Sequence, residues 1–167
     1  MRFRIAIIAL VTVWVCSGTT PARASIAFIG TFGDWDVRTE DQAVGQICAA
    51  RALHPELGLG DIFWAFNTAS SASDPSGYLA LDPRFLPNGG TASITIDGEV
   101  SFDLSQAADG YIYASPANDL EIFSLMRSGL DMLVEVSPNG EAVWNLEVSL
   151  LGFTRATDAA RVACGLD

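Results

Sequence analysis

His54, in Leu53-His54-Pro55-Glu56, is the single histidine of this 167-residue chain, so any Ser-His-Asp or Cys-His device would have to use it. No Gly-x-Ser-x-Gly elbow accompanies it. A lone histidine also speaks against zinc, which takes roughly four nitrogen or sulfur ligands in a structural site. His54 reads as a loop residue. Acids are plentiful, with 20 Asp and Glu in all. Asp34 and Asp36 fall on one face of an expected strand, and Asp97, Glu99 and Asp103 could approach one another across a hairpin. A glycosidase needs two carboxylates about 5–10 Å apart in a cleft, and calcium takes about six oxygens or more. Neither EF-hand spacing nor an Asp-x-Asp repeat is present, so these acids read as solvated strand faces. No catalytic residue, metal or cofactor is assigned.

Cysteine chemistry is better defined. Cys16 sits in an amino-terminal segment expected to be removed, which leaves Cys48 and Cys164. Two cysteines in an exported domain usually pair. A structural disulfide is therefore expected, and no Cys-x-x-Cys spacing offers a redox pair instead.

Aromatic residues are the remaining candidates. Trp35, Trp64 and Trp144, with Phe63, Phe66, Tyr111 and Tyr113, either fill a core or line a ligand groove. Alternation in Tyr111-Ile112-Tyr113 puts both tyrosines on one side of the chain, which makes them the candidate interaction surface.

Compartment follows from the first 24 residues. Arg2 and Arg4 precede an apolar run from Ile5 to Cys16, and Ala22-x-Ala24 fits a signal peptidase site with Ser25 as the first mature residue. The run is about 12 residues long, short of the roughly 20 that span a bilayer. Val15 stands where a small residue should precede a lipidated cysteine. The expected organisation is a signal peptide over 1–24 and one exported domain over 25–167, with no integral span in the mature chain and a place in the periplasm or cell envelope.

Charge narrows the partners. The chain carries −11, and loss of Arg2, Arg4 and Arg23 takes the mature part to −14. All nine basic residues are arginine. So acidic a surface argues against nucleic acid and anionic lipid as direct partners, since both need positive charge.

These groups must be positioned by a mostly β fold. Phe32 to Arg38 alternates, with Trp35 and Val37 on one side and Asp36 and Arg38 on the other. Ile47–Arg51 follows as a strand, and Ile62–Asn67 is apolar throughout, as in a strand covered on both faces. Thr68–Gly77 is a loop of small polar residues. Tyr78–Leu81 is a further short strand, and Pro87-Asn88-Gly89-Gly90 marks a turn. Asp97-Gly98 joins Thr91–Ile96 to Glu99–Leu104 in a tight hairpin. Pro138-Asn139-Gly140 joins Met132–Ser137 to Glu141–Leu150, whose Ala142, Trp144, Leu146, Val148 and Leu150 share a face. Asn118 can cap a helix through Leu120, Phe123 and Met126 with Gly129 as its stop. Thr154 can cap a second helix ending near Cys164, with Ala156, Ala159, Ala160 and Ala163 facing the sheet. Docking that helix brings Cys164 within reach of Cys48. The fold class is mainly β: a single-domain antiparallel sandwich or partly closed barrel with one or two short helices, one of them C-terminal.

Three segments together resemble the invasion-associated locus B family. They are Gly33-Asp34-Trp35-Asp36-Val37-Arg38 followed by Cys48; Ile94-Thr95-Ile96-Asp97-Gly98; and Leu125-Met126-Arg127-Ser128-Gly129 with Val148-Ser149-Leu150-Leu151-Gly152-Phe153-Thr154. The likeness covers most of the mature chain outside 52–92. Thr39 stands where relatives often carry a cysteine, and 103–114 lacks their close cysteine pair, so this chain is similar to a divergent member. The resemblance implies an exported, envelope-associated β domain linked in some bacteria to host-cell invasion, and no catalytic residues. The function expected is a non-catalytic envelope module that binds an unknown protein or envelope component. Two alternatives stay open: a small periplasmic hydrolase or carbohydrate-binding protein using a carboxylate pair, and a secreted inhibitor presenting the Thr68–Gly77 loop.

Overall fold

The computed structural model describes residues 25–43, 45–52, 62–68, 77–82, 90–107, 110–137 and 144–166. Several sequence expectations lie outside the described residues: the segment 1–24 with Ala24, His54, most of the loop 68–77, and the turns at 87–89 and 138–140 with Ala142. The side chain of Trp144 lies outside them too.

Ten antiparallel strands form one open sheet. In chain order they are β1 (Ile26–Phe32), β2 (Trp35–Gln42), β3 (Gly45–Ala52), β4 (Ile62–Asn67), β5 (Tyr78–Leu81), β6 (Thr91–Ile96), β7 (Val100–Gln106), β8 (Ile112–Ala114), β9 (Asp131–Ser137) and β10 (Trp144–Ser149). Across the sheet the order is β1-β2-β3-β4-β5-β8-β7-β6-β9-β10. Two helices, α1 (Asp119–Ser128) and α2 (Phe153–Ala163), complete the described residues. The fold is mainly β and antiparallel with a C-terminal helix, as the turn signals and alternation require.

Local chemistry explains the hairpins and one correction. Asp97 (φ 50°) and Gly98 (φ 71°) both take the left-handed conformation. Such a pair matches the twist of the flanking strands, hence the tight β6–β7 turn. The segment from Phe32 to Arg38 is not one strand. Gly33 adopts φ 64°, so the chain reverses at Gly33-Asp34 and a further strand, β1, precedes β2. Asp34 therefore sits in a turn and does not share a strand face with Asp36.

One face of the sheet carries the core. Trp35, Val37, Cys48, Ala50, Trp64, Phe66, Leu79, Leu81, Ile94, Ile112, Val134 and Val148 belong to one contiguous buried cluster. Each large apolar side chain removed from water contributes about 1.5–3 kcal/mol before the cost of ordering it. Helix α2 lies over β1–β4 and α1 packs against α2 and β5. Phe123 of α1 and Phe153 of α2 meet Trp64 with centroids 5.0 and 6.0 Å away, and Phe153 lies 4.9 Å from Trp35. Aromatic pairs at such separations add directional packing to simple burial.

Helix α1 begins at the expected cap position but without the side-chain bond, whereas α2 begins at a different residue. Asn118 precedes α1 without a side-chain cap, and Leu120 faces solvent while Ile122, Phe123 and Met126 face the core. Gly152, not Thr154, stands at the start of α2, and the Thr154 hydroxyl donates to the Arg127 carbonyl at 3.1 Å. Phe153, Ala156, Thr157 and Ala160 form the buried face of α2. The small alanines let the helix come close enough for Cys164 to bond Cys48, with Cα atoms 5.8 Å apart across a separation of 116 residues. The pairing read from the sequence is thus present.

The end of β10 returns to the first hairpin. The Trp35 indole donates to the Ser149 carbonyl at 2.9 Å, and Asp34 N–H donates to the Leu151 carbonyl at 2.9 Å. These bonds draw the two ends of the sheet together without closing a barrel.

Candidate functional site

Period-two alternation assigns every second residue of β2 to β5 and β8 to the face opposite the core. Cross-strand register then sets those side chains into lateral rows. One row runs Arg38, Ala49, Ala65, Tyr78. The next runs Asp36, Arg51, Phe63, Ala80, Tyr113. A third, Glu40, Ile47 and Asn67, borders the first on its other side. Ala49 is short beside the long side chains around it, and a depression opens there.

That depression is a hollow of about 410 Å³. Arg38, Arg51, Phe63, Tyr78, Tyr111 and Tyr113 stand on its lining, and Ala49 is in its floor. Small-molecule sites usually occupy roughly 300–1,000 Å³, so the size fits a ligand of a few rings.

Its aromatic side is continuous. Tyr78 and Tyr113 have centroids 5.6 Å apart, Tyr113 and Tyr111 6.3 Å, and Tyr111 and Phe63 5.8 Å. Tyr111 and Tyr113, expected on one side of the chain, do line one cavity. The other aromatics divide by strand parity: Trp35, Trp64 and Phe66 go to the core, and Phe63 to the hollow.

The charged side is organised by Asp36. This carboxylate is only 2% exposed although it lies on the face away from the core. Its Oδ2 accepts from Arg38 Nε at 3.1 Å and lies 3.1 Å from Arg38 Nη2. Its Oδ1 lies 3.9 Å from Arg51 Nε and accepts no hydrogen bond among the described residues. A buried carboxylate between two guanidinium groups holds both in place and offsets part of their charge. Two of the six arginines beyond residue 24 therefore converge at this hollow.

The other acids expected to approach one another stay apart in function. Asp97 Oδ1 accepts the backbone N–H groups of Leu130 (2.8 Å) and Asp131 (3.0 Å), which holds its carboxyl below the ordinary range. A general acid needs the opposite displacement. Asp103 pairs with Ser93 on an exposed face of β7. Among the described residues no group of three or more His, Cys, Asp or Glu is placed to hold a metal ion, and no helix is long and apolar enough to cross a membrane.

Sequence reasoning found the two tyrosines and missed Arg38, Arg51 and Tyr78 as their neighbours. One signal was available: in a chain without lysine, an arginine opposite Trp35 and Val37 on an alternating strand must stand on the non-core face.

No protein-family profile matches the chain, and no curated protein matches it. Among solved structures, the chain is similar to the crystal structure of invasion associated protein B from Bartonella henselae, with a TM-score of 0.49 and 16% identity over 80% of this chain and 96% of that one. At that identity the likeness is one of backbone architecture, and neither family nor activity follows from it.

Proposed function

We propose that this chain is an exported, non-catalytic binding domain of the cell envelope that engages its partner through the hollow on the outer face of the sheet. The convergence of Arg38 and Arg51 with the ring tract Phe63–Tyr111–Tyr113–Tyr78 carries this reading. Sites that fix a partner combine apolar rings with a few well-placed polar groups, and tyrosine and arginine are enriched where binding energy concentrates. Export is supported by the basic-apolar-small pattern of residues 1–24 and by the Cys48–Cys164 bond, since disulfides persist in oxidising compartments. The motif resemblance to the invasion-associated locus B family, centred on Val148–Thr154, adds a connection with host-cell interaction to the proposal.

The test is site-specific photocrosslinking from Asn67, at the rim of the hollow, in intact cells. One arm carries the wild-type surface and the other Tyr111→Ala with Tyr113→Ala. A crosslinked species seen with the first and lost with the second supports the reading. Identical crosslinks in both arms, or recovery of the protein from the cytosol with Met1 attached, would overturn it.

A further inference from the structure

We infer that the hollow is a saccharide site selective for sugars that carry a carboxylate, an inference resting on the hollow being the recognition face. Backbone pairing sets the first condition. β2, β3, β4, β5 and β8 each have a hydrogen-bonded neighbour strand on both sides, so none of them is a sheet edge. An extended peptide therefore cannot add to them as a further strand, and a ligand here is read by side chains alone.

Those side chains match a hydroxylated ring. The tract Phe63–Tyr111–Tyr113–Tyr78 offers ring faces and edges, against which the C–H face of a pyranose can pack. Gln42, Asn67 and Glu40 also line the hollow. Amide and carboxylate groups there can donate to and accept from further sugar hydroxyls.

The arginines add the selectivity. Asp36 engages Nε and Nη2 of Arg38, which fixes the plane of the guanidinium. Arg38 and Arg51 both stand on the lining of the hollow. A pre-positioned planar fork is the group that best pairs with a carboxylate. The chain as a whole is strongly acidic and repels anions at long range. At physiological ionic strength, however, the screening length is about 8 Å, so the nearby guanidinium groups decide the contact.

The experiment titrates the chain, purified with its disulfide intact, with digalacturonate, its methyl ester and a neutral disaccharide. Calorimetry and backbone amide shifts are followed in about 0.15 M salt. Digalacturonate should bind at least about tenfold more tightly than the other two, with shifts confined to β2–β5 and β8. Arg38→Gln and Arg51→Gln, each checked for an unchanged fold by its amide spectrum, should bring the digalacturonate affinity down to that of the methyl ester. Ala49→Leu, which keeps every charge and fills the floor, should abolish binding without lowering the melting temperature. Equal affinity for acid and ester would overturn the carboxylate selectivity. Absence of any saccharide binding would overturn the whole inference. If the Tyr111/Tyr113-dependent crosslink nevertheless persisted, the binding-domain reading would stand and the partner would be a protein surface.

Discussion

Gly152 lies so close to Phe32 that a Cβ atom on it would collide with the Phe32 carbonyl oxygen, and a Cβ on Gly33 would in turn meet the Leu151 carbonyl. Two backbones touch here because neither residue has a side chain. The contact locks the β1–β2 turn onto the start of α2, beside the Trp35–Ser149 bond. Gly152 also has φ 95°, outside the range that other residues favour. Gly152→Ala should therefore cost about 3 kcal/mol or more, from clash and strain together. Gly165→Ala is the control. It has a similar left-handed conformation (φ 67°) but open space around it, and should cost only about 1 kcal/mol. Urea unfolding of the two variants separates the effects, and equal losses would mean the Phe32 contact matters little.

The Cys48–Cys164 bond ties the middle of β3 to the last turn of the chain. Closing a loop of 116 residues restricts the unfolded chain by an amount worth about 5 kcal/mol in the chain-entropy account. Cys48→Ala with Cys164→Ala, or reduction of the native chain, should lower stability by up to that amount. Because α2 covers β1–β4, the loosened helix should also expose Trp35 and Trp64. Denaturant titration followed by tryptophan fluorescence reads both consequences. An unchanged midpoint after reduction would contradict the account.

How far the sequence disclosed this arrangement depends on range. Alternation within one strand showed that Trp35 and Val37 face the core, and that Tyr111 and Tyr113 share a side. Both inferences need only neighbouring residues. The disulfide was legible because, with residues 1–24 expected to be removed, two cysteines leave one intramolecular pairing. The hollow was not legible, since its rows cross strands distant in sequence, and β5 pairs with β8 by skipping the β6–β7 hairpin. Nothing in Tyr78 or Tyr113 alone announces that they will stand 5.6 Å apart. β1 was missed for a different reason. Ile26, Phe28 and Ile29 are all exposed and the strand carries an irregularity near Gly30, so it lacks the alternation that marks a half-buried strand.

Asp97 links the β6–β7 turn to the junction of α1 and β9 by accepting two backbone N–H groups, which holds its carboxyl below the ordinary value of 3.8. A carboxylate depressed by folding contributes stability above its unfolded value. That contribution disappears as pH falls through the lower folded value. Wild type should therefore lose stability below about pH 4 in part through this residue. Asp97→Asn keeps a side chain that tolerates the left-handed turn and a carbonyl that can accept, but removes the charge. Its stability curve should be flatter through that acid range. Chemical denaturation at a series of pH values compares the two, and parallel curves would exclude the linkage.

Substitution of Asp36 separates the foundation of the hollow from its proposed binding role. The carboxylate is almost fully buried between Arg38 and Arg51, whose side chains retain 28% and 17% exposure. Removing its charge leaves two guanidinium groups side by side without their shared counter-ion. Because both keep some contact with water, they can rehydrate, and the cost should fall below the roughly 3–5 kcal/mol seen when a fully buried pair is broken. Asp36→Asn should destabilise the chain by about 1–2 kcal/mol. It should also free the Arg38 guanidinium to turn, so that any carboxylate bound in the hollow loses affinity even where the protein is fully folded. The double variant Asp36→Asn with Arg38→Gln should recover part of the stability and none of the affinity. Recovery of both would mean that Asp36 and Arg38 repress binding instead of organising it, and additive losses of stability would mean the two residues do not interact.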